Sequence, residues 1–393
     1  MNINKKRICI IYTGGTIGMI QDEKSGALRP FNFSKTNEMI PGLSALNVEL
    51  SVAAFDDLLD SSNITPADWV KIASMIEEHY DYSDGFIVLH GTDTMSYSAS
   101  ALSFMLENLQ KPVIFTGSQL PIGVLRSDGK DNLINSIEIA AAVSESGLPR
   151  ISDVCVFFGR KLFRGCRTTK YSAENFDAFV SANEPALAKV GVHIAYRSGA
   201  SGVSGVSGAN GVNGVNGVNG VNGVNGANGV NGVSGASGAS GANGANGASG
   251  VFNSDGKFRA EKNLATNITI IRMHPGVNDK TIEMLLSMPH LQGVILETYG
   301  SGNAITRPSF LALLQNAVQR GIYIMNVTQC LQGCVEQEKY ESGLFLQQAG
   351  VIGSGDITSE AALTKMMYVL GKKLPQEETV KMLSCSLRGE ITQ

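Results

Sequence analysis

Short apolar runs alternate with longer stretches of helical period along most of the chain. Residues 7–13, 48–55, 85–90, 112–117, 154–158, 268–273, 293–298 and 323–328 read as strands. Between them, residues 65–80 open with Thr65 as an N-cap, Pro66 at the first helical position and Asp68 in the first turn, which predicts a helix. Residues 99–108, 131–142, 279–288, 309–320 and 359–370 carry the same period. Strands that are apolar on both faces and alternate with helices predict an α/β fold, with mainly parallel sheets flanked by helices.

One segment breaks this pattern. Residues 198–251 are a run of triplets, each Ser or Asn, then Gly, then Ala or Val. They carry no aromatic, no charge and no long apolar side chain, so burial cannot offset their ordering entropy. The glycine period is that of collagen, but the run contains no proline. It reads as a low-complexity, flexible linker that divides the chain into an N-terminal domain, 1–197, and a C-terminal α/β domain, 252–393. Each part is long enough to bury its own core.

Composition narrows the function. A formal charge of −4 on 393 residues, with no polybasic segment, gives nothing with which to neutralise a phosphate backbone, so nucleic acid is not expected as a partner. The basic N-terminus precedes an apolar run of only four or five residues, a strand rather than a signal segment. No stretch approaches the ~18 apolar residues of a membrane span. The expectation is a cytoplasmic protein with no membrane partner. Six scattered cysteines, at 9, 155, 166, 330, 334 and 385, read as reduced thiols. Cys330 and Cys334 lack a second ligand pair, with His274 and His290 far off in sequence, so no metal is expected.

Three turns carry candidate chemistry. The first strand ends in Thr13-Gly14-Gly15-Thr16-Ile17-Gly18, where a tight glycine turn lifts a side chain into the crevice at the carboxyl end of a parallel sheet. The bland alternative is a phosphate-binding turn, but this is not the dinucleotide fingerprint. A second strand runs into His90-Gly91-Thr92-Asp93-Thr94, whose polar residues serve equally as helix caps. Lys170, in Arg167-Thr168-Thr169-Lys170, is ordinarily a surface charge; it matters if burial beside other groups turns it into a base.

Taken together, TGGTIG, LLDSSNITPADW, LHGTDTM, FTGSQ and the RTTK segment resemble the asparaginase family, in its type I bacterial branch. YGSGNA at 299–304, VTQC at 327–330 and AGVIGSGDITSEAALTK at 349–365 extend the resemblance through the second domain. It implies hydrolysis of L-asparagine to L-aspartate and ammonia, without cofactor, by a homodimer or homotetramer whose sites lie between subunits. Thr16 matches the primary nucleophile, and Thr92, Asp93 and Lys170 match a proton relay. Asp60, Ser61 and Ser62, with Thr92 and Asp93, match the substrate-binding groups.

The chain departs from the family in one place. Many members carry a tyrosine ten to thirteen residues past the nucleophile, where this chain has Gly26-Ala27-Leu28-Arg29, and no tyrosine lies between Tyr12 and Tyr80. Tyr340 is a candidate substitute, supplied from another subunit. Some members also hold an effector site near the counterpart of Thr328-Gln329-Cys330, to which Glu297 here adds a charge. Two rival functions are a glutamine-deamidating amidotransferase subunit, which usually has an extra N-terminal domain, and an amino-acid sensor without turnover.

Overall fold

The computed structural model describes residues 5–21, 28–30, 43, 45–198 and 256–392. The triplet run from 199 onward lies outside the described residues, so its reading as a linker is not addressed by the fold.

The N-terminal sheet is built from β1 (Lys6–Gly14), β2 (Val48–Leu59), β3 (Gly85–Leu89), β4 (Val113–Thr116), β5 (Val154–Phe158) and β6 (Lys161–Arg164). A two-strand ribbon, β7 (Thr169–Lys170) and β8 (Phe179–Val180), stands apart, and β9 (Ala188–Val190) and β10 (Ile194–Tyr196) extend the sheet edge. The order is β10-β9-β6-β5-β4-β3-β1-β2. From β2 to β5 all pairings are parallel, whereas β6, β9 and β10 add antiparallel strands.

Strand order decides where a ligand goes. β1 lies between β2 and β3, so the connections leave it in opposite directions and open a crevice at the carboxyl ends of β1 and β3. Both glycine-containing turns of the sequence sit at this switch point.

The helices of this half are α1 (Pro66–His79), α2 (Met95–Met105) and α3 (Gly129–Ala141). α1 starts as expected: the Thr65 amide and hydroxyl both donate to Asp68, at 2.8 and 2.7 Å. α2 begins four residues before the expected 99–108 and ends at Met105. Nearly all its side chains are buried, so it lacks the polar stripe on which a period is read. It is buried because it lies between the two halves, with its partner α7 on the far side.

The C-terminal sheet is parallel, in the order β11 (Ile268–Arg272), β12 (Gly293–Thr298), β13 (Tyr323–Thr328), β14 (Ile352–Gly353). Its helices are α4 (Asp279–Leu286), α5 (Pro308–Gln319), α6 (Glu341–Gln348), α7 (Ser359–Gly371) and α8 (Gln376–Ser384). The short α6 and α8 were not evident from the sequence pattern.

Polar anchors hold the halves together. Glu107, fully buried, accepts from the Tyr368 hydroxyl and Lys372 Nζ, both at 2.7 Å, and from Arg259 at 2.9 Å. Burial would push this carboxyl up, but the hydrogen bonds from Lys372 and Tyr368 bring it below its ordinary range. Lys365 and Glu390 form a second buried pair at 2.8 Å that fastens the C-terminal tail. Just past the triplet run, Phe258 stacks on Tyr80 with ring centroids 3.6 Å apart, and Lys262 pairs with Glu77 at 2.6 Å. Residues 257–262 therefore dock on the N-terminal half before the chain enters its second sheet.

Candidate active site

Three turns meet at the switch point, and glycine makes the approach possible. Gly14 and Gly15 have φ of +128° and +84°, which bend the chain sharply out of β1. A β-carbon on Gly15 would lie 2.5 Å from the Gly91 nitrogen, and one on Gly91 would lie 2.5 Å from Ser61 Oγ. The turn bearing Thr16 is thus pressed against the turn bearing Thr92, which is pressed in turn against Ser61. A register shift in the β1–β2 pairing sets Leu59 opposite Gly14 and delivers Asp60, Ser61 and Ser62 to the same place.

The two threonines of the first turn have different fates. Thr13 is buried and spends its hydroxyl on the Leu89 carbonyl at 2.9 Å. Thr16 opens a short 3-10 turn and stays partly accessible. Beneath it, the Tyr12 phenol donates to the Gly18 carbonyl at 2.9 Å, and burial pushes that phenol up to about 12, so it stays neutral.

Lys170 is not a surface charge. Its side chain is only 16 % exposed, and Nζ donates to Thr92 Oγ1 at 2.9 Å and to Asp93 Oδ1 at 2.7 Å. The three expected relay residues are therefore in direct contact. In the segment 60–62, Asp60 accepts from the Ser62 amide and hydroxyl, at 2.9 and 2.8 Å, and these bonds hold its carboxyl below the usual range. Ser61 is tied to the Thr92 turn through its carbonyl, which accepts from Thr94 Oγ1 at 2.7 Å.

Two further residues shape the site. His90 is fully buried, and burial depresses it to about 4, so the ring is neutral. The Gly91 carbonyl can only accept, so Nδ1 carries the proton and donates to it at 2.7 Å; Nε2 then accepts from Ser98 Oγ at 2.8 Å, which accepts from Trp69 Nε1 at 2.9 Å. This chain fixes the peptide between Gly91 and Thr92, whose N–H is a candidate oxyanion donor.

Gln119 is the second. Its Nε2 donates to the carbonyls of Ala173 and Asn175, both at 3.1 Å, which turns Oε1 toward Thr92 Oγ1 at 3.4 Å. The segment FTGSQ was part of the resemblance, but no pattern in the sequence showed what its glutamine would touch.

Of the stretch 26–29, in which a loop tyrosine would be sought, residues 26 and 27 lie outside the described residues, and 28 and 29 belong to a short strand, Leu28–Pro30. Tyr340 sits at the N-cap of α6, 48 % exposed. Cys330 and Cys334 are both exposed, while Cys9, Cys155 and Cys166 are buried and all six cysteines are free. Glu297 is held by Arg272 at 3.0 Å and by Ser359 at 2.6 Å.

Fold and site together define an α/β enzyme that gathers the Thr16 turn, the contacts of Lys170 with Thr92 and Asp93, and the Asp60–Ser62 segment at one crevice. Family comparisons agree: "Asparaginase, N-terminal" matches residues 7–201 and "Glutaminase/Asparaginase C-terminal domain" matches 267–383. The chain belongs to the asparaginase family. A collagen triple helix repeat model also matches residues 197–257, following the glycine period. L-asparaginase 1 of Escherichia coli K12 is 37% identical over 391 residues, covering 99% of each chain. The 60 kDa lysophospholipase of Mus musculus is 36% identical, and the match covers 99% of this chain and 63% of that protein. The crystal structure of L-asparaginase I from Vibrio cholerae, 36% identical, superposes with a TM-score of 0.77 over 99% of this chain and 100% of that one.

Proposed function

We propose that this enzyme is an L-asparaginase that hydrolyses L-asparagine to L-aspartate and ammonia, with Thr16 as nucleophile. The observation that carries the reading is the contact of Lys170 Nζ with both Thr92 Oγ1 and Asp93 Oδ1, on a turn pressed against that of Thr16. A carboxamide is a poor electrophile and a threonine hydroxyl a poor nucleophile, so the site must supply placement, a proton acceptor and an oxyanion hole. Thr16 attacks the side-chain carbonyl of asparagine while the N–H of Thr92 receives the developing negative charge. The proton of Thr16 passes through Thr92 toward Lys170, which Asp93 holds in place, and returns to the departing nitrogen, so that the amide nitrogen leaves as ammonia. Water then cleaves the aspartyl ester on Thr16. Asp60, Ser61 and Ser62, together with Thr92 and Asp93, hold the α-amino and α-carboxylate groups.

The test is ammonia release as a function of asparagine and glutamine concentration. A saturating rate with asparagine supports the reading, and the glutamine curve gives the specificity. Binding without release would favour the sensor, and release that required a tRNA-linked partner would favour the amidotransferase.

The enzyme works, on this reading, in the cytoplasm as a homodimer or homotetramer, with no metal and no organic cofactor. No helix among the described residues is long and apolar enough to cross a membrane. The division at the triplet run, with 198–251 as linker between domains 1–197 and 252–393, belongs to the same proposal. Closing a loop costs only ~0.6 kcal/mol more for each doubling of its length, so a long connector carries little penalty. Replacing residues 198–251 with ten Gly and Ser residues should therefore leave turnover within about twofold and the melting temperature unchanged or slightly higher. Loss of activity with the oligomeric state preserved would show that the run serves the active site.

A further inference from the structure

Lys170 sits on a strand too short to fix it. β7 has two residues and pairs only with β8, Thr169 with Val180 and Lys170 with Phe179, outside the main sheet. Successive side chains of a strand point to opposite faces, so whatever grips Thr169 sets the direction of Lys170.

What grips Thr169 comes from the other half of the molecule. Its Oγ1 donates to Glu360 Oε2 at 3.0 Å, across a separation of 191 residues. Glu360 lies in the first turn of α7 and is buried, 8 % exposed. Burial, with the charge of Glu297 adding to it, raises its carboxyl above the ordinary range, opposed by bonds from its own amide and from the hydroxyls of Thr169 and Thr358. The two acids are treated differently: Glu297 carries Arg272 at 3.0 Å, while the hydrogen bonds to the Glu360 carboxyl come from hydroxyls and a backbone amide. Tyr97, on α2 just past the Thr92 turn, also feels both carboxylates, which add to the effect of burial in raising its phenol. Glu360 thus stands at the seam of the two halves, between the ribbon of Lys170 and the helix that follows Thr92.

A buried acid is costly unless it is hydrogen-bonded, and here the bond is made to the neighbour of the relay lysine. We propose that Glu360 is a positioning residue for the reaction: it anchors Thr169 across the seam and so holds Lys170 within reach of Thr92. The inference rests on the asparaginase reading and adds to it a dependence of the N-terminal catalytic groups on a C-terminal side chain.

Steady-state kinetics on the full chain test it. Glu360→Ala and Thr169→Val should each lower kcat about tenfold with KM within about twofold, since small misplacement of a catalytic group costs rate more than binding. Because both remove one bond, the double variant should be no slower than the slower single one. Glu360→Gln and Thr169→Ser keep an acceptor and a donor, and should stay within about threefold of the parent. If Glu360→Ala does not fold, the pair Thr169→Val and Thr169→Ser decides alone. A kcat within twofold of the parent in both disruptive variants, or losses that multiply in the double variant, would overturn the proposal while leaving the asparaginase reading standing. A parent enzyme that releases no ammonia from asparagine would sink both.

Discussion

Replacing Thr16 with alanine should leave the fold intact and lower asparagine turnover by about three orders of magnitude or more, because the attacking oxygen is gone. The fold should survive because Thr16 is partly accessible, and the contacts that shape its turn come from elsewhere. Tyr12 donates to the Gly18 carbonyl from below, and the Gly14–Gly15 bend is a backbone property. Thr13, three residues earlier, is the contrasting case. Its hydroxyl is buried on the Leu89 carbonyl, so Thr13→Ala should cost stability rather than chemistry. Circular dichroism and ammonia release on purified Thr16→Ala give the answer, and an active, folded variant would remove Thr16 from the role of nucleophile.

Lys170→Met should be the second large effect. The substitution keeps the length and apolar stem of the side chain but removes the amine that contacts Thr92 and Asp93. General base catalysis typically contributes about 100- to 10,000-fold, so kcat should fall in that range while KM changes much less. Some rise in KM is expected, because Asp93 loses its cation and is also one of the proposed binding groups. A rate at saturating asparagine close to that of the parent would mean that the contact is an ion pair of the fold and that another group accepts the proton.

The sequence marked the residues that meet at the switch point better than it marked what supports them. Thr16, Thr92, Asp93 and Lys170 stand in short motifs, and the glycines beside them signal the close approach that the turns make. β1 and β3, which end at the switch point, are largely apolar and bounded by turn residues, which is why their order of appearance was readable. The edges were not: β6, β9 and β10 pair antiparallel over two to four residues, lengths at which no period can be recognised. α2 was misplaced at its start because a helix buried on all sides carries no polar stripe.

The supporting residues were hidden for a different reason. His90 reads as the end of a strand, Gln119 as a loop polar residue and Glu360 as an acid at a helix start, a place where acids are common. Their importance lies in what they touch, 191 residues away in the case of Thr169 and Glu360, and spacing along the chain does not encode such a contact. Lys170 is the instructive middle case. Its type and position read as an ordinary surface charge, and burial against Thr92 and Asp93 is what sets it apart from one.

The central claim is that Thr16 carries the aspartyl group during turnover. The direct measurement is acid quenching of the enzyme mixed with excess L-asparagine, followed by digestion and mass spectrometry of the peptide that spans Thr16, with a parallel reaction containing hydroxylamine. The account predicts a transient aspartyl ester on Thr16 and diversion of part of the product to aspartyl hydroxamate. An adduct on another residue, or steady ammonia release with neither adduct nor hydroxamate, would contradict it.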